Sequence, residues 1–390
     1  MTSLPGTFKI SLQGHRVFIP DPLPPRLNLP SSIPQLVEEA AHLLGQVNGI
    51  LLPNPELLVY GSLRREAIAS STIEGTIATP DELVLFEADQ QPARREVREV
   101  ANYAEALRWG VSLLRQEFPI TTRLILDLHQ KLLHEVRGTS AAGRFKDRQN
   151  WIGPRPSTSI EEAIFVPPPP EAVPDLMGAL EKYLNLPNEE QKLVQCALVH
   201  YQFETIHPFT DGNGRVGRLL IMLHLIQLGL LKAPLIHPSV YFERTRGEYY
   251  QRLQQVRENG AWNEWIRYFA EGMVQQSQKT LQLVQRMREL QEQLRGAVAD
   301  IRRRAAVTAV LEAFFRKPVQ SITAISRSAG LSYGSAKTAL DILEGKGIVS
   351  EITGKKKGRV YSCQPILKAI LEGEEVSSEG LNPPGEAQPD

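Results

Sequence analysis

Apolar residues recur three and four positions apart along most of the chain, which is the spacing of one face of an α-helix. The segments with this pattern before residue 210 are Glu56–Glu74, Glu96–Glu117, Thr122–Val136, Val173–Leu186 and Glu189–Ile206. Few segments before residue 318 alternate with period two, the pattern of a half-buried strand. We therefore predict a main domain that is mostly α-helical.

Two segments of this domain depart from the helical pattern. Asp21–Pro34 is too rich in proline for a helix or a central strand, so it should run extended over the surface. In Arg144–Pro170, which we call the flap segment, aromatic and β-branched residues flank a turn-rich centre. That composition predicts a short β-hairpin.

The C-terminal third of the chain has its own organisation. Apolar residues form one stripe over Gln276–Asp300, which predicts a connecting helix. Three helices and two strands around a basic turn follow, in the order of a winged helix-turn-helix domain. The predicted fold class is mainly α: a helical bundle with a small β-hairpin, then the winged helix. The expected parts are an N-terminal region, a helical core, a linker helix, the winged helix and a disordered acidic tail, at 1–95, 96–275, 276–303, 304–371 and 372–390.

Composition narrows the class of protein. The chain of 390 residues is long enough for two or three domains. Its two cysteines, Cys196 and Cys363, cannot form a disulfide framework, which favours a reducing cytoplasm. No signal peptide and no uninterrupted apolar stretch of membrane-spanning length is evident, so we expect no membrane partner.

The charges are balanced overall but not locally. The chain has 44 basic and 44 acidic residues, yet residues 301–361 contain 12 basic and 4 acidic side chains. Any contact with nucleic acid is therefore expected in the C-terminal part.

The candidate chemistry is concentrated in HPFTDGNGRVGR, residues 207–218. Pro208 disfavours a helical conformation at His207, so the preceding helix should end there and leave the imidazole exposed, with a pKa near neutrality. Gly212 and Gly214 allow a tight turn directly before an apolar helix, whose N-terminus is suited to bind an anion. This segment therefore combines a base with an anion site.

The remaining polar residues of this stretch complete a nucleotide site. Arg215 and Arg218 lie three residues apart, so both guanidinium groups are expected to reach one phosphate chain. Asp211 has the ligand chemistry for Mg²⁺, and Phe209 is expected to pin the loop to the core. A base, a metal carboxylate, an anion hole and two arginines are the groups needed to cleave a nucleoside triphosphate.

Residues 207–218 match HxFx(D/E)GNGRxxR at every fixed position, and the chain thereby resembles Fic-domain proteins, whose usual activity is AMPylation. The resemblance extends over roughly residues 20–275 and includes the flap segment. It implies that the flap segment aligns a target peptide. It further implies that ATP is the substrate and that Mg²⁺ is required. The implied base is His207, which acts on a Ser, Thr or Tyr hydroxyl of a target protein. The implied nucleotide and metal ligands are Asp211 for Mg²⁺, the amides of Gly212, Asn213 and Gly214 for phosphates, Arg215 in support and Arg218 for the γ-phosphate.

A second motif lies upstream, in SSTIEGT, residues 70–76. Ser70 and Glu74 are four residues apart, on one face of the end of a helix, and Gly75 is a natural C-cap. A carboxylate at that end gains from an external cation, for which Arg218 is the candidate. The stretch matches the (S/T)xxxE(G/N) inhibitory motif of Fic proteins, which implies that Glu74 pairs with Arg218 and blocks productive binding of the γ-phosphate.

Several alternatives stay open at this point. A competing interpretation makes His200, Glu204 and His207 zinc ligands, but His207 lies beyond the helix end and HExxH is absent. A Fic enzyme of this type could remove AMP or transfer another phosphate-containing group. Alternatively, the protein is a DNA-binding regulator with a nucleotide-sensing Fic domain. Self-modification and a homodimer are compatible with the family, and DNA binding through the winged helix is a further possibility.

Overall fold

The computed structural model describes residues 4–50, 55–89, 94–136, 139–153, 158–301 and 304–371. Helices dominate the described residues. The helices before residue 230 are α1 (Ser32–Asn48), α2 (Pro55–Ile73), α3 (Pro80–Asp89), α4 (Arg95–Leu114), α5 (Thr122–Leu132), α6 (Val173–Asn185), α7 (Lys192–Ile206) and α8 (Asn213–Gln227). The later helices are α9 (Pro238–Arg244), α10 (Arg246–Asn259), α11 (Trp262–Ala297), α12 (Arg304–Phe314), α13 (Ile322–Ala329), α14 (Tyr333–Gly345) and α15 (Gln364–Leu371). The five helices predicted before residue 210 are all present, with ends shifted by no more than four residues.

The centre of the bundle is the pair α7 and α8, which pack against each other. Every residue from Leu193 to Ile206 is buried, and α8 is buried from Asn213 to Leu225 apart from Gly214. Both helices are therefore buried on all sides, in the middle of the core, and their buried residues include polar side chains such as His200, Glu204 and Arg218. Because residues 207–212 join the two buried helices, the close packing of the core also restrains the loop between them.

The N-terminus forms a β-hairpin that the sequence patterns did not predict. Strands β1 (Gly6–Ile10) and β2 (Arg16–Pro20) pair antiparallel, with Gly6 opposite Pro20. Four of the five residues of β1 are exposed, so its sequence does not alternate in the way that a half-buried strand does. The hairpin contacts the flap segment, since the amide of Phe18 donates to the carbonyl of Val166 at 3.0 Å.

Among the described residues of the flap segment, the predicted hairpin is reduced to one antiparallel bridge. Ile152 and Phe165 exchange backbone hydrogen bonds, 2.8 Å from the amide of Ile152 and 3.1 Å from that of Phe165. Residues 154–157, where the turn was expected, lie outside the described residues. The prolines and the short 3₁₀ turn Ile160–Glu162 leave little regular ladder to form.

Helix α11 differs from the connecting helix predicted over Gln276–Asp300. It begins at Trp262 and continues without a break to Ala297, so the predicted segment is the second part of one helix of 36 residues. Helix α1 packs along it. The apolar stripe extends back into the core through buried residues such as Trp265 and Phe269, which explains why no break occurs at residue 276.

The C-terminal unit, residues 304–371, contains α12, strand β3 (Val319–Ser321), α13, α14 and strands β4 (Ser350–Glu351) and β5 (Val360–Ser362). The strands form an antiparallel sheet in the order β3-β5-β4, and helix α15 follows. The three helices α12, α13 and α14 and the strands β4 and β5 occur in the predicted order, whereas strand β3 between α12 and α13 was not predicted. Helix α15, which was not predicted, packs against α2 and α11, with Ile370 directly over Gly61. The predicted acidic tail, 372–390, lies outside the described residues.

Among the described helices, none combines the length and the apolar character needed to cross a membrane.

Candidate active site at the start of helix α8

His207 caps the C-terminus of α7 in the left-handed conformation, with φ 51° and ψ 59°. Its amide donates to the carbonyl of Phe203 at 3.0 Å, and Pro208 prevents the helix from continuing. A left-handed backbone is uncommon for a residue other than glycine and costs free energy that the surrounding packing must offset. Helix α7 therefore ends at Ile206, as predicted. The left-handed conformation of His207 sets the direction in which the chain enters the loop.

The expectation that His207 is exposed and titrates near neutrality is wrong. The residue is only partly exposed, and its Nδ1 atom is buried without a hydrogen-bond partner among the described residues. Burial lowers the pKa of the imidazole to about 3, and the positive charges of Lys146 and Arg257 lower it further. The imidazole is consequently neutral throughout the physiological pH range, and in this conformation it is a weak base.

The loop between α7 and α8 is held by the side chain of Asn213. Its Oδ1 accepts from the amide of Phe209 at 2.8 Å, and its Nδ2 donates to the carbonyl of Phe209 at 2.7 Å. Phe209 is fully buried, as predicted for a residue that pins the loop to the core. Both contacts are made by the side chain of Asn213. Its backbone amide is not part of them and lies at the N-terminus of α8.

His129, on α5, is a loop support that sequence reasoning missed. Its ring stacks on Phe209 with centroids 3.8 Å apart and planes 11° apart. Its Nδ1 accepts from the amide of Gly143 at 3.0 Å, so its Nε2 carries the proton and donates to the carbonyl of Asp211 at 3.0 Å. Burial lowers the pKa of His129 to about 4, so this neutral tautomer persists at physiological pH.

The N-terminus of α8 depends on the backbone conformation of Gly212. Gly212 is the N-cap, with φ 83°, which a side chain would strain. The amides of the first helical turn have no helical acceptor and carry the positive end of the helix dipole. The amide of Gly212 itself donates to Oδ1 of Asp211 at 2.7 Å. A carboxylate or phosphate group placed at this terminus is stabilised by these groups.

Arg215 is held by carboxylates of the protein. Its Nη1 lies 2.9 Å from Oε2 of Glu99, on α4, and its Nη2 lies 3.5 Å from Oδ1 of Asp211. Arg215 and Glu99 are both buried, whereas the side chain of Asp211 is 46% exposed. Glu99 was missed by sequence reasoning because nothing local distinguishes it from other helical glutamates. The guanidinium therefore braces Asp211 and the first turn of α8.

Arg218 is fully buried and is paired with the two residues of the upstream motif. Its Nη2 lies 2.6 Å from Oε1 of Glu74, its Nε donates to Oγ of Ser70 at 2.9 Å, and its Nη2 also donates to the carbonyl of Ser70 at 2.9 Å. Nη1 of Arg218 is buried without a partner among the described residues. The structure thus brings together all three residues that the sequence patterns paired.

Glu74 lies directly on the anion site. It follows the last residue of α2, and Gly75 after it has φ 82°, as expected of a C-cap. A methyl group added at Gly214 would overlap Oε1 of Glu74, so the carboxylate occupies space against the first turn of α8. Its position is the one that an anionic ligand of the helix N-terminus would take.

The residues considered as zinc ligands have other environments. His200 uses both ring nitrogens, Nδ1 to the carbonyl of Gly217 at 3.1 Å and Nε2 to the hydroxyl of Tyr249 at 2.9 Å. Oε1 of Glu204 is buried without a hydrogen-bond partner among the described residues, and burial raises the pKa of this carboxyl to about 7. In the part of the chain that the structure describes, no three His, Cys, Asp or Glu side chains cluster as metal ligands do.

Comparison with known proteins agrees with this geometry. Three curated relatives, each named as a protein adenylyltransferase Fic or fic-1, align over about half of this chain. They are 28% identical over 215 residues in Nematostella vectensis, 34% over 183 residues in Caenorhabditis elegans and 30% over 190 residues in Drosophila melanogaster. These alignments cover 54%, 45% and 48% of this chain, and 44%, 32% and 34% of the relatives, so the chain spans less than half of their length.

Solved structures share the fold. A Fic family protein from Desulfovibrio desulfuricans superposes with a TM-score of 0.57 at 20% identity, covering 87% of this chain and 98% of that one. Fic-1 from C. elegans superposes with a TM-score of 0.52 at 23% identity, covering 66% of this chain and 74% of that one. At the level of sequence, residues 119–225 match the Fic/DOC family and residues 35–112 match the Fic/DOC family N-terminal region. The chain therefore carries a Fic/DOC domain preceded by a Fic/DOC N-terminal region.

Proposed function

We propose that this protein transfers AMP from ATP to a Ser, Thr or Tyr hydroxyl of a target protein, and that Glu74 restrains the reaction. One observation carries the proposal: a single loop joins His207 to the N-terminus of α8, and Glu74 lies against the first turn of that helix, paired with Arg218. The names of the relatives support it, since they are protein adenylyltransferases.

In the proposed reaction the phosphates of ATP lie at the start of α8, where backbone amides and the helix dipole favour negative charge. His207 accepts the proton of the target hydroxyl. The hydroxyl oxygen then forms a bond to the α-phosphorus while the bond from that phosphorus to the bridging oxygen of pyrophosphate breaks. Pyrophosphate leaves with the electron pair of that bond, and AMP stays on the target.

Asp211 is the proposed ligand of Mg²⁺. Its carboxylate is half-exposed beside the anion site, and oxygen ligands of this kind are those that Mg²⁺ prefers in nucleotide sites. When bound, the ion neutralises charge on the phosphates. Nη2 of Arg215 lies 3.5 Å from Oδ1 of Asp211, which braces the carboxylate without occupying it fully.

Glu74 is the proposed brake because its carboxylate competes with a phosphate for Arg218. The pair is partly desolvated, since the Arg218 side chain is fully buried and that of Glu74 is 33% exposed. We propose that Arg218 binds the γ-phosphate when Glu74 moves away. The unpartnered Nη1 of Arg218 supports this role, because a buried guanidinium N–H gains from a further acceptor.

The test follows the α-phosphate. Four proteins are incubated with Mg²⁺ and ATP labelled with ³²P at either the α or the γ position. They are wild type, Glu74→Gly, and Glu74→Gly combined with either His207→Ala or His134→Ala. His134 is an exposed histidine and serves as the matched control. We expect α-label on protein from Glu74→Gly and from the His134 control, weak label with wild type, and none with His207→Ala. Label from the γ position, or α-label that survives His207→Ala, contradicts the proposal.

For the C-terminal unit we propose contact with double-stranded nucleic acid. The basic turn between β4 and β5 exposes Lys356 and Lys357, and the N-terminus of α14 exposes Tyr333. Lysines on an exposed turn next to a helix are suited to contact phosphates. Fluorescence anisotropy with a DNA duplex should give binding that weakens with salt and with Lys356→Glu combined with Lys357→Glu. Binding that is absent at low salt contradicts this proposal and leaves the transfer reaction unaffected.

A further inference from the structure

A lysine is buried at the root of the flap segment, next to the loop that carries His207. Lys146 is 4% exposed. Its amide donates to the carbonyl of Pro208 at 2.9 Å, and its Nζ donates to Oδ1 of Asn150 at 2.6 Å. Asn150 in turn donates from Nδ2 to the carbonyl of Phe209 at 2.8 Å. The two residues that follow His207 are therefore both held by the flap segment.

The burial of this ammonium group is not explained by stability. Lys146 forms no ion pair within the described residues, and burial lowers its pKa from the ordinary value to about 7. A lysine in such a place destabilises the folded state relative to an apolar side chain of similar length. A residue that costs stability and yet contacts the loop of a catalytic group is a candidate for a role in function.

The charged groups that face His207 come from three elements. Lys146 of the flap segment and Arg257 of α10 contribute positive charge, and the carbonyl of Glu204 on α7 acts in the opposite direction. Arg257 is occupied elsewhere, since its Nε donates to Oγ1 of Thr205 at 3.3 Å and its guanidinium lies over the ring of Phe165, 3.9 Å from the centroid. The side chain of Lys146 reaches the loop through Asn150, whose Nδ2 donates to the carbonyl of Phe209.

We propose that Lys146, with Asn150, is a positioning residue that fixes the loop behind His207. The proposal rests on His207 acting as the base of the proposed reaction. Its consequence is that the loop behind the imidazole stays fixed as a target segment enters beside the flap. The connection also links the flap segment, which borders the target, with the residue that accepts the target's proton.

The first test measures His207 directly and needs no activity. Full-length protein with isotope-labelled histidine is titrated by NMR in wild type and in Lys146→Met, Lys146→Arg and Arg148→Met. Arg148 lies two residues from Lys146 and is exposed, so Arg148→Met removes one positive charge, as Lys146→Met does. In wild type the His207 signal should stay that of the neutral ring down to the lowest pH at which the fold persists. Lys146→Met should raise its pKa by about one unit or more, the size of a nearby charge effect, and the other two variants should not.

The second test separates positioning from packing. In the Glu74→Gly background, Lys146→Met should lower kcat for α-label transfer by about tenfold to a hundredfold, with little change in KM for ATP, and Lys146→Arg should restore most of it. The melting temperature of Lys146→Met at pH 7 should equal or exceed that of its parent. A kcat that Lys146→Met leaves unchanged overturns the proposal, as does a kcat loss explained by a lower melting temperature.

Two outcomes need their own controls. If Lys146→Met does not fold, Lys146→Gln removes the same charge and is titrated in its place. If the Glu74→Gly parent transfers no label, the proposed function has failed, while the titration of His207 still decides whether Lys146 acts on the imidazole.

Discussion

Replacing Glu74 by glycine should weaken the folded state and at the same time strengthen ATP binding. In the wild-type protein, Arg218 is fully buried and Glu74 is its counter-charge at 2.6 Å. Loss of the carboxylate leaves the guanidinium with only the hydroxyl and the carbonyl of Ser70, each at 2.9 Å. An under-compensated buried charge destabilises the protein until an anion replaces the carboxylate.

The size of the effect follows from the geometry. A hydrogen bond to a charged group contributes about 1.5–3 kcal/mol when desolvated. Glu74 is one-third exposed, which screens the pair, and two bonds to Ser70 remain. We therefore expect a loss of about 1–2 kcal/mol in the free energy of unfolding, equivalent to a few degrees in melting temperature for a chain of this length.

The assay is calorimetry with and without ATP and Mg²⁺. ATP should raise the melting temperature of Glu74→Gly by more than it raises that of wild type, because its γ-phosphate no longer competes with the carboxylate for Arg218. Glu74→Gln, which removes the charge but keeps the side chain, separates the charge effect from the added glycine flexibility. If Glu74→Gly is as stable as wild type and ATP stabilises both equally, the assignment of Glu74 as competitor is wrong.

Three further predictions concern the same site. Asn213→Ala removes both hydrogen bonds to the backbone of Phe209 and should lower α-label transfer at least about tenfold while the chain stays folded, as circular dichroism would check. Gly214→Ala should expel the carboxylate of Glu74, lowering the melting temperature by an amount similar to Glu74→Gly. The Glu204 carboxyl, with its pKa raised to about 7 by burial, should lose part of its contribution to stability as pH rises from about 4.5 through 7. Glu204→Gln should reduce that loss in a melting series from pH 5 to about pH 8.

Each of these three predictions has a result that would contradict it. Full transfer activity in Asn213→Ala means that the loop is held by other contacts. An unchanged melting temperature in Gly214→Ala means that the backbone moves to admit the methyl group. A melting series in which Glu204→Gln and wild type respond equally to pH means that another buried carboxyl, such as Glu66, whose pKa is also raised to about 7, dominates.

The parts of the site that sequence predicted are those whose chemistry is local. Gly212, Asn213 and Arg215 lie within four residues of one another, and the constraints of a turn before a helix act at that range. The pairing of Glu74 with Arg218 spans 144 residues and followed from a resemblance of motifs rather than from spacing.

The parts that sequence did not predict depend on contacts between distant segments. Glu99, His129 and Lys146 reach the loop from α4, α5 and the flap segment, and none stands in a local pattern that marks it. The burial of His207 was also missed, because exposure of a loop residue is set by what packs over it. The N-terminal hairpin was missed for the related reason that an exposed strand carries no alternating pattern.

The most direct measurement of the central claim is intact-protein mass spectrometry of Glu74→Gly after incubation with ATP and Mg²⁺, beside the same variant carrying His207→Ala. Our account predicts a mass increase of one or more AMP groups on Glu74→Gly, located by peptide mapping on a Ser, Thr or Tyr, and an unchanged mass when His207 is replaced. An AMP adduct that persists without His207, or a mass increase of phosphate in place of AMP, would contradict it.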